Sequence, residues 1–260
     1  MQGGHGRHVD SGGSHVLITG ASRGIGAALA VRYAAPAMHL TLVARSVESL
    51  DAVAETCRSG GATASVRAAD VRDQDAMAAL VAGADAERPL SLVIANAGVA
   101  PQAAGLDPDV LGHLRPILAT NLDGVINTAL PAVAAMRPRR RGQIALVASL
   151  AGFFPLPGAT AYCTAKAAVR TLGAGLRSDL AGDGVDVRVI SPGFVETAMT
   201  AGSARLPFLM TPAQAAERIV EGLKGPKAEI TFPWPLAVLV AAAARSPAGL
   251  RDRLVRTLLR

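Results

Sequence analysis

Seven short apolar runs, at residues 15–19, 39–43, 64–68, 90–94, 143–148, 185–190 and 229–232, alternate with stretches whose apolar residues recur at helical spacing, at 25–35, 47–58, 74–84, 116–136, 159–181 and 212–224. Runs that are apolar throughout, instead of alternating with polar residues, belong to strands covered on both faces. Strands of that kind, separated by helices, pair in parallel through right-handed crossovers. The expected fold class is therefore α/β, a doubly wound parallel sheet of about seven strands in a single domain. Pro131 falls inside the fourth helical stretch and predicts a kink there, not a boundary.

Composition narrows the remaining classes. Half of the 260 residues (50%) are hydrophobic, enough apolar surface to offset the entropy of ordering, which excludes a disordered chain. The net charge of +6 invites a nucleic-acid reading, but Arg245, Arg251, Arg253, Arg256 and Arg260 against Asp252 account for four of those charges. With aromatic residues at 3%, a stacking platform for bases is not expected, and no nucleic-acid partner is assigned. Only Cys57 and Cys163 are present, which argues against a disulfide framework and for a reducing, cytoplasmic setting. The apolar run 234–244 is 11 residues long, where a membrane span needs about 20. Residues 1–14, rich in Gly, His and Ser, read as a disordered lead-in, 15–233 as a dinucleotide-binding and catalytic domain, and 234–260 as an apolar, then basic, helical tail.

The first strand runs directly into Thr19-Gly20-Ala21-Ser22-Arg23-Gly24-Ile25-Gly26 and then a helix. Glycines there allow the backbone to approach a pyrophosphate, whose charge the free N–H groups and the positive end of the helix stabilise. At the end of the second strand, where an acid would bind the 2′-hydroxyl of a dinucleotide's ribose, the residue is Arg45. Arg45 and Arg23 together suit a 2′-phosphate, so NADP(H) is expected in preference to NAD(H). The third strand ends at Asp70-Val71 and the fourth at Asn96-Ala97-Gly98, both at the sheet edge where such a ligand lies. Asp70 is positioned to accept from an adenine amino group and Asn96 to fix the neighbouring loop, although turn or cap roles suit either equally.

Tyr162 and Lys166 are separated by one helical turn, in a chain whose only other tyrosine is Tyr33 and whose other lysines are Lys224 and Lys227. That spacing places phenol and ammonium side by side, and an adjacent cation favours the phenolate, giving a proton donor for a carbonyl oxygen. Ser149, at the end of the fifth strand, can give a second hydrogen bond to the same oxygen. Asn121, polar among Leu118, Leu122 and Val125, can hold a water linking Lys166 to solvent. Singly, Ser149 and Asn121 each suit a structural role. No metal site is expected.

In order and approximate spacing these residues resemble the short-chain dehydrogenase/reductase family, over about residues 15–233, including a Pro192-Gly193 turn followed by Val195 and Thr197. The resemblance implies a tetrad in which Tyr162 is the acid/base, Ser149 polarises the carbonyl, Lys166 holds the nicotinamide ribose and Asn121 anchors a relay water. It further implies that the backbone at Pro192 and Val195, with the Thr197 hydroxyl, positions the nicotinamide and pyrophosphate. The glycine spacing resembles the simple reductase branch, and a homo-oligomer, dimer or tetramer, is implied. Alternatives are a non-catalytic cofactor sensor on the same fold, or a protein whose tail mediates interactions.

Substrate choice is expected to lie in two apolar loops, 150–157 and the segment Leu206, Pro207, Phe208, Leu209 and Met210, with Arg205 the one nearby cation. These suit an apolar ketone, aldehyde or secondary alcohol. In the tail, 247–260 fits a helix with one broad apolar face. It suits docking on protein, closure over the pocket or, less favoured, peripheral contact with a membrane.

Overall fold

The structure, a computed structural model, describes residues 13–100, 110–156, 158–200, 206–247 and 249, with backbone alone for 110–113. Seven strands, β1 (His15–Thr19), β2 (His39–Ala44), β3 (Thr63–Ala68), β4 (Leu92–Ala95), β5 (Gly142–Val147), β6 (Val185–Pro192) and β7 (Glu229–Phe232), form one sheet. Their order is β3-β2-β1-β4-β5-β6-β7, parallel throughout. The direction of winding reverses between β1 and β4, where an open α/β sheet leaves a crevice beyond the carboxyl ends of its strands.

Alternating side chains of each strand enter opposite layers. Val16 and Ile18 of β1 join Leu40, Leu42, Leu92 and Ile94 on one face, whereas Leu17 joins Val43, Val93, Ile144 and Leu146 on the other. Helices α1 (Gly24–Tyr33), α2 (Val47–Ser59) and α7 (Pro212–Lys224) cover the first face through Leu29, Leu50, Cys57 and Ile219. Helices α3 (Gln74–Glu87), α5 (Gly124–Met136) and α6 (Thr160–Asp179) cover the second through Met77, Val81, Ala129, Met136 and Val169. Burial on both faces is why the strands carry continuous apolar runs. Local signals set the helix starts: Ser46 caps α2, Asp73 caps α3, and Thr211 with Gln214 forms a capping box before Pro212 of α7.

Most boundaries shift by one to three residues, and three of the differences bear on the site. β4 begins two residues later than expected because the Leu90 N–H donates to Asp85 Oδ1 (2.8 Å) and so leaves the ladder. β6 runs on to Pro192, which pairs with Phe232. The fourth helix starts as α4 (Val110–Leu118), so Pro116 lies inside it, and passes through a π turn (Ala119–Asp123) into α5. A departure from regular helix thus lies at Asn121, whose side chain reaches out to Val99, while Pro131 sits within α5. The continuous helix Leu114–Met136 is long and apolar enough by composition to cross a membrane, a length that the shorter run 234–244 did not reveal. Its apolar side, Val125, Ala129, Ala132 and Met136, packs beneath the second face of the sheet.

Past β7 the chain forms α8 (Trp234–Arg245), which brings Leu236 and Val240 against Leu150 and the half-buried Phe153, Phe154 and Phe194. The expected helix 247–260 lies outside the described residues, apart from its first residue and Gly249, as does the lead-in before residue 13.

Candidate active site

A cleft of about 980 Å³ runs along the carboxyl edge of the sheet, from the ends of β2 and β3, across the β1–β4 reversal, to α8. Its floor is the glycine turn after β1. Gly20 and Gly24 have positive φ (67° and 58°), and a Cβ on Gly20 would stand 2.8 Å from the Ala97 Cα. Gly26 is tighter still, because a Cβ there would lie 2.2 Å from the Gly20 carbonyl oxygen. Asn96 locks this turn to β4: its Nδ2 donates to the Thr19 carbonyl (2.9 Å), while the N–H groups of Asn96 and Ala97 donate to Thr19 Oγ1 (3.1 and 3.2 Å). The Gly24 side of the turn faces Thr197, whose methyl would be 3.2 Å from an added Cβ.

At the β2–β3 end the exposed Arg23 and Arg45 line the cleft with the hydroxyl residues Ser46 and Ser49. Arg72, not singled out from the sequence, lies with them and makes a bidentate contact with Asp70, its Nε standing 3.0 Å from each carboxylate oxygen. This guanidinium, with Arg45 further off, holds the Asp70 carboxyl below its ordinary range. The expected adenine acceptor is therefore already engaged by a cation. Neighbouring Val71 is pinned by α5, as Asn127 Nδ2 donates to its carbonyl (2.9 Å).

In the middle of the cleft Ser149, Tyr162 and Lys166 converge. Ser149 leaves β5, caps the 3-10 turn Leu150–Gly152 by accepting from the Ala151 N–H (3.1 Å), and its hydroxyl stands 3.4 Å from the Pro192 carbonyl. The Ser149 side chain also hydrogen-bonds the Tyr162 phenol. Lys166, only 3% exposed, donates to the Val147 carbonyl (2.8 Å), and its Nζ lies 5.7 Å from the Tyr162 ring centroid. Burial draws the Lys166 ammonium down to about 8. Burial likewise pushes the Tyr162 phenol above its ordinary value, against the pull of the Ser149 hydrogen bond. In the chain alone, burial thus moves the phenol in the direction opposite to the lowering expected from Lys166.

Asn121 stands behind this group, fully buried. Its Oδ1 accepts from the Val99 N–H and its Nδ2 donates to the Val99 carbonyl, both at 2.7 Å. The amide therefore clamps the loop after β4, and its Oδ1 lies 3.1 Å from where a Gly98 Cβ would be. Of the residues expected to bind cofactor or substrate, Gly26 and Asn121 support the cleft from behind. Gly20, Ser22, Arg23, Gly24, Ile25, Arg45, Asp70, Val71, Asn96, Ala97, Gly98, Ser149, Tyr162, Lys166, Pro192, Gly193, Val195 and Thr197 line it directly.

The far end is apolar. Leu150, Phe154 and Leu156 of the first loop and Leu206, Pro207 and Phe208 of the second line it, joined by Leu236, Leu239, Val240 and Ala243 of α8. Met210 instead pairs with Val195 in a short bridge, and Phe153 turns away beneath the Arg170 guanidinium (3.4 Å). Pro157 and Arg205 lie outside the described residues. From the sequence, residues 234–244 read only as an apolar run at the start of a helical tail.

The glycine cradle, the paired β1–β4 loops and the unpartnered guanidinium groups among the described residues fit a dinucleotide. Comparisons with known proteins agree. A sequence model described as short chain dehydrogenase matches residues 14–205. An uncharacterized oxidoreductase of Myxococcus xanthus is 37% identical over 246 residues, spanning 93% of this chain and 96% of that protein. Gluconate 5-dehydrogenase of Gluconobacter oxydans is 33% identical over 189 residues, spanning 72% and 73% of the two chains. A solved short-chain dehydrogenase from Sphingobium yanoikuyae in complex with NADPH superposes with a TM-score of 0.79 at 28% identity, over 94% of this chain and 95% of that one.

Proposed function

The chain belongs to the short-chain dehydrogenase family, and from that footing we propose that it moves a hydride between NADP(H) and an apolar ketone or aldehyde, or the corresponding secondary alcohol. The observation that carries the proposal is the convergence of the Ser149 hydroxyl and the Tyr162 phenol at the mouth of an otherwise apolar chamber. A carbonyl carbon held there has two O–H donors for its oxygen and apolar walls for its substituents.

Bound nicotinamide supplies or accepts the hydride, which is the chemistry the side chains lack. Gly20, Ser22, Gly24 and Ile25 would hold the pyrophosphate at the start of α1, with Gly98, Pro192, Gly193, Val195 and Thr197 around the nicotinamide half. Arg23 and Arg45 would take the 2′-phosphate, and Asp70 and Val71 would flank the adenine. In reduction, Ser149 hydrogen-bonds the carbonyl oxygen and Tyr162 gives it a proton as negative charge builds there. Lys166 supports the developing phenolate and the nicotinamide ribose, with one of its protons held by the Val147 carbonyl. Asn121 fixes the loop that bounds any relay water beside Lys166.

The gluconate 5-dehydrogenase relative is named for a polar, charged substrate, whereas the cleft here carries no charged side chain among its described residues beyond Lys166 and, at the β2–β3 end, Arg23, Arg45, Asp70 and Arg72. The expected substrates are therefore bulky apolar carbonyls. Steady-state NADPH oxidation on a panel of aryl and alicyclic ketones against small oxoacids checks this. Preference for the apolar ketones is expected. Preference for the oxoacids would overturn the substrate class, and failure of every carbonyl would overturn the activity.

A further inference from the structure

Behind the apolar chamber lies an ion pair that takes no part in the chemistry above. Arg170, one helical turn beyond Lys166 on α6, donates from Nε to Glu229 Oε1 (2.7 Å) and from Nη2 to Glu229 Oε2 (3.1 Å). Glu229 opens β7, and its Oε1 also accepts from the fully buried Ser191 hydroxyl (2.9 Å), the residue before Pro192. The two side chains are 25% and 33% exposed, so the pair is largely withdrawn from water. A planar guanidinium held by both carboxylate oxygens has its orientation fixed.

What that fixed guanidinium touches is the substrate loop. Its Nη1 donates to the Gly152 carbonyl (3.3 Å), and its carbon lies 3.4 Å from the centroid of the Phe153 ring. Gly152 is pressed on α6, since a Cβ there would stand 2.8 Å from the carbonyl carbon and oxygen of Lys166. Phe153 in turn packs in the cluster of Leu150, Leu236 and Val240, through which α8 is seated. Contacts therefore run unbroken from β7 through Arg170 and the 150–153 turn to the wall formed by α8. None of Arg170, Glu229 and Phe153 lines the cleft.

We propose that Arg170, oriented by Glu229, is a positioning residue for the substrate chamber: it sets the 150–153 turn on which α8 rests, and so governs acceptance of bulky apolar carbonyls without acting on cofactor or proton transfer. The inference rests on the apolar-carbonyl reading above. Lysine at 170 can keep one bond to Glu229 but loses the fork to both oxygens and the flat stack on Phe153. The wall then loosens where large substituents lie, whereas a small ketone needs only Ser149 and Tyr162.

The test compares wild type, Arg170→Lys and Arg170→Met. Each is read by thermal midpoint, NADPH Kd, KM and kcat for one bulky aryl ketone and one small ketone, and the Kd of a fluorescent naphthyl ketone. Arg170→Lys is expected to raise KM for the bulky ketone and the naphthyl ketone Kd about tenfold, with NADPH Kd and small-ketone KM within about twofold. Arg170→Met is expected to do the same more strongly, at a lower thermal midpoint. Equal losses on both ketones, a parallel loss of NADPH affinity, or unchanged bulky-ketone KM and naphthyl-ketone Kd in Arg170→Lys would overturn the proposal. If wild type turns over neither ketone, the functional reading fails, and the naphthyl ketone Kd alone decides the role of Arg170.

Discussion

Three guanidinium groups face the β2–β3 end of the cleft, and their partners differ. Arg72 is committed to Asp70, whereas the side chains of Arg23 and Arg45 form no ion pair with the described residues. A free guanidinium beside a phosphate gains a charge-assisted contact at little competing cost. Arg45→Ala is therefore expected to weaken NADPH binding about ten- to hundredfold while leaving NADH within about threefold, as read by fluorescence titration. Wild type that binds NADH more tightly than NADPH would contradict the cofactor assignment. A second residue makes the stability of the fold depend on pH. His15 Nδ1–H donates to the Arg88 carbonyl (2.7 Å) and Nε2 pairs with the Thr41 hydroxyl (2.8 Å) inside β1, and burial holds its pKa below the ordinary 6.5. The unfolded chain then takes up a proton at a higher pH than the folded one, so this contribution is complete above about 6.5 and falls as pH drops below it. Urea midpoints at about pH 7.5 and 5.5 should fall less in His15→Asn than in wild type, and an equal fall would remove His15 as the cause.

At the scale of elements, glycines separate the turns that build the site from the helices that only frame it. Gly83 in α3 and Gly175 in α6 are exposed, and a Cβ at either meets nothing within 4 Å. Alanine there should stabilise the fold by about 0.5–1 kcal/mol through helix propensity. At Gly26, also helical, the same change drives a Cβ into the Gly20 carbonyl, so Gly26→Ala should lower the thermal midpoint and abolish NADPH binding. A Gly26→Ala protein that binds NADPH normally would remove the tight turn from the account. The contrast between these glycines also shows what a sequence carries. Gly20, Gly24 and Gly26 were legible because they follow a strand and open a helix, and Tyr162 with Lys166 because helical spacing joins scarce residue types. Arg170 and Glu229 were not, since 59 positions separate them and only the α6–β7 packing brings them together. Arg72 did leave a signal, two residues beyond Asp70, but a loop arginine has no spacing that assigns it a partner. The π turn was hidden for a similar reason: the pull on Asn121 comes from Val99, 22 residues away.

For the whole molecule, the sheet places the glycine turn and guanidinium groups at one end of a single cleft and apolar side chains at the other, with Ser149 and Tyr162 between. Of the tail, α8 supplies part of the apolar wall, while the helix 247–260, for which the sequence offers three roles, lies outside the described residues apart from its first residue and Gly249. The opposite side of α8 leaves Trp234 75% and Val238 61% exposed. Light scattering is expected to give the mass of two or four chains, and because Trp234 is the only tryptophan its fluorescence reports whether α8 is covered in that assembly. A monomer at all concentrations would contradict the oligomer. This geometry is proposed to pass a hydride from NADPH to a carbonyl carbon while Tyr162 supplies the proton. Mass spectrometry of the alcohol formed from a bulky aryl ketone with NADPH deuterated at the nicotinamide C4 position, by wild type and Tyr162→Phe, tests it most directly. One deuterium is expected at the carbinol carbon with wild type from one of the two C4-deuterated epimers of NADPH, and at least about a thousandfold less labelled product with Tyr162→Phe at unchanged NADPH affinity. Unlabelled alcohol from both C4-deuterated epimers, or full labelling rate in Tyr162→Phe, would contradict it.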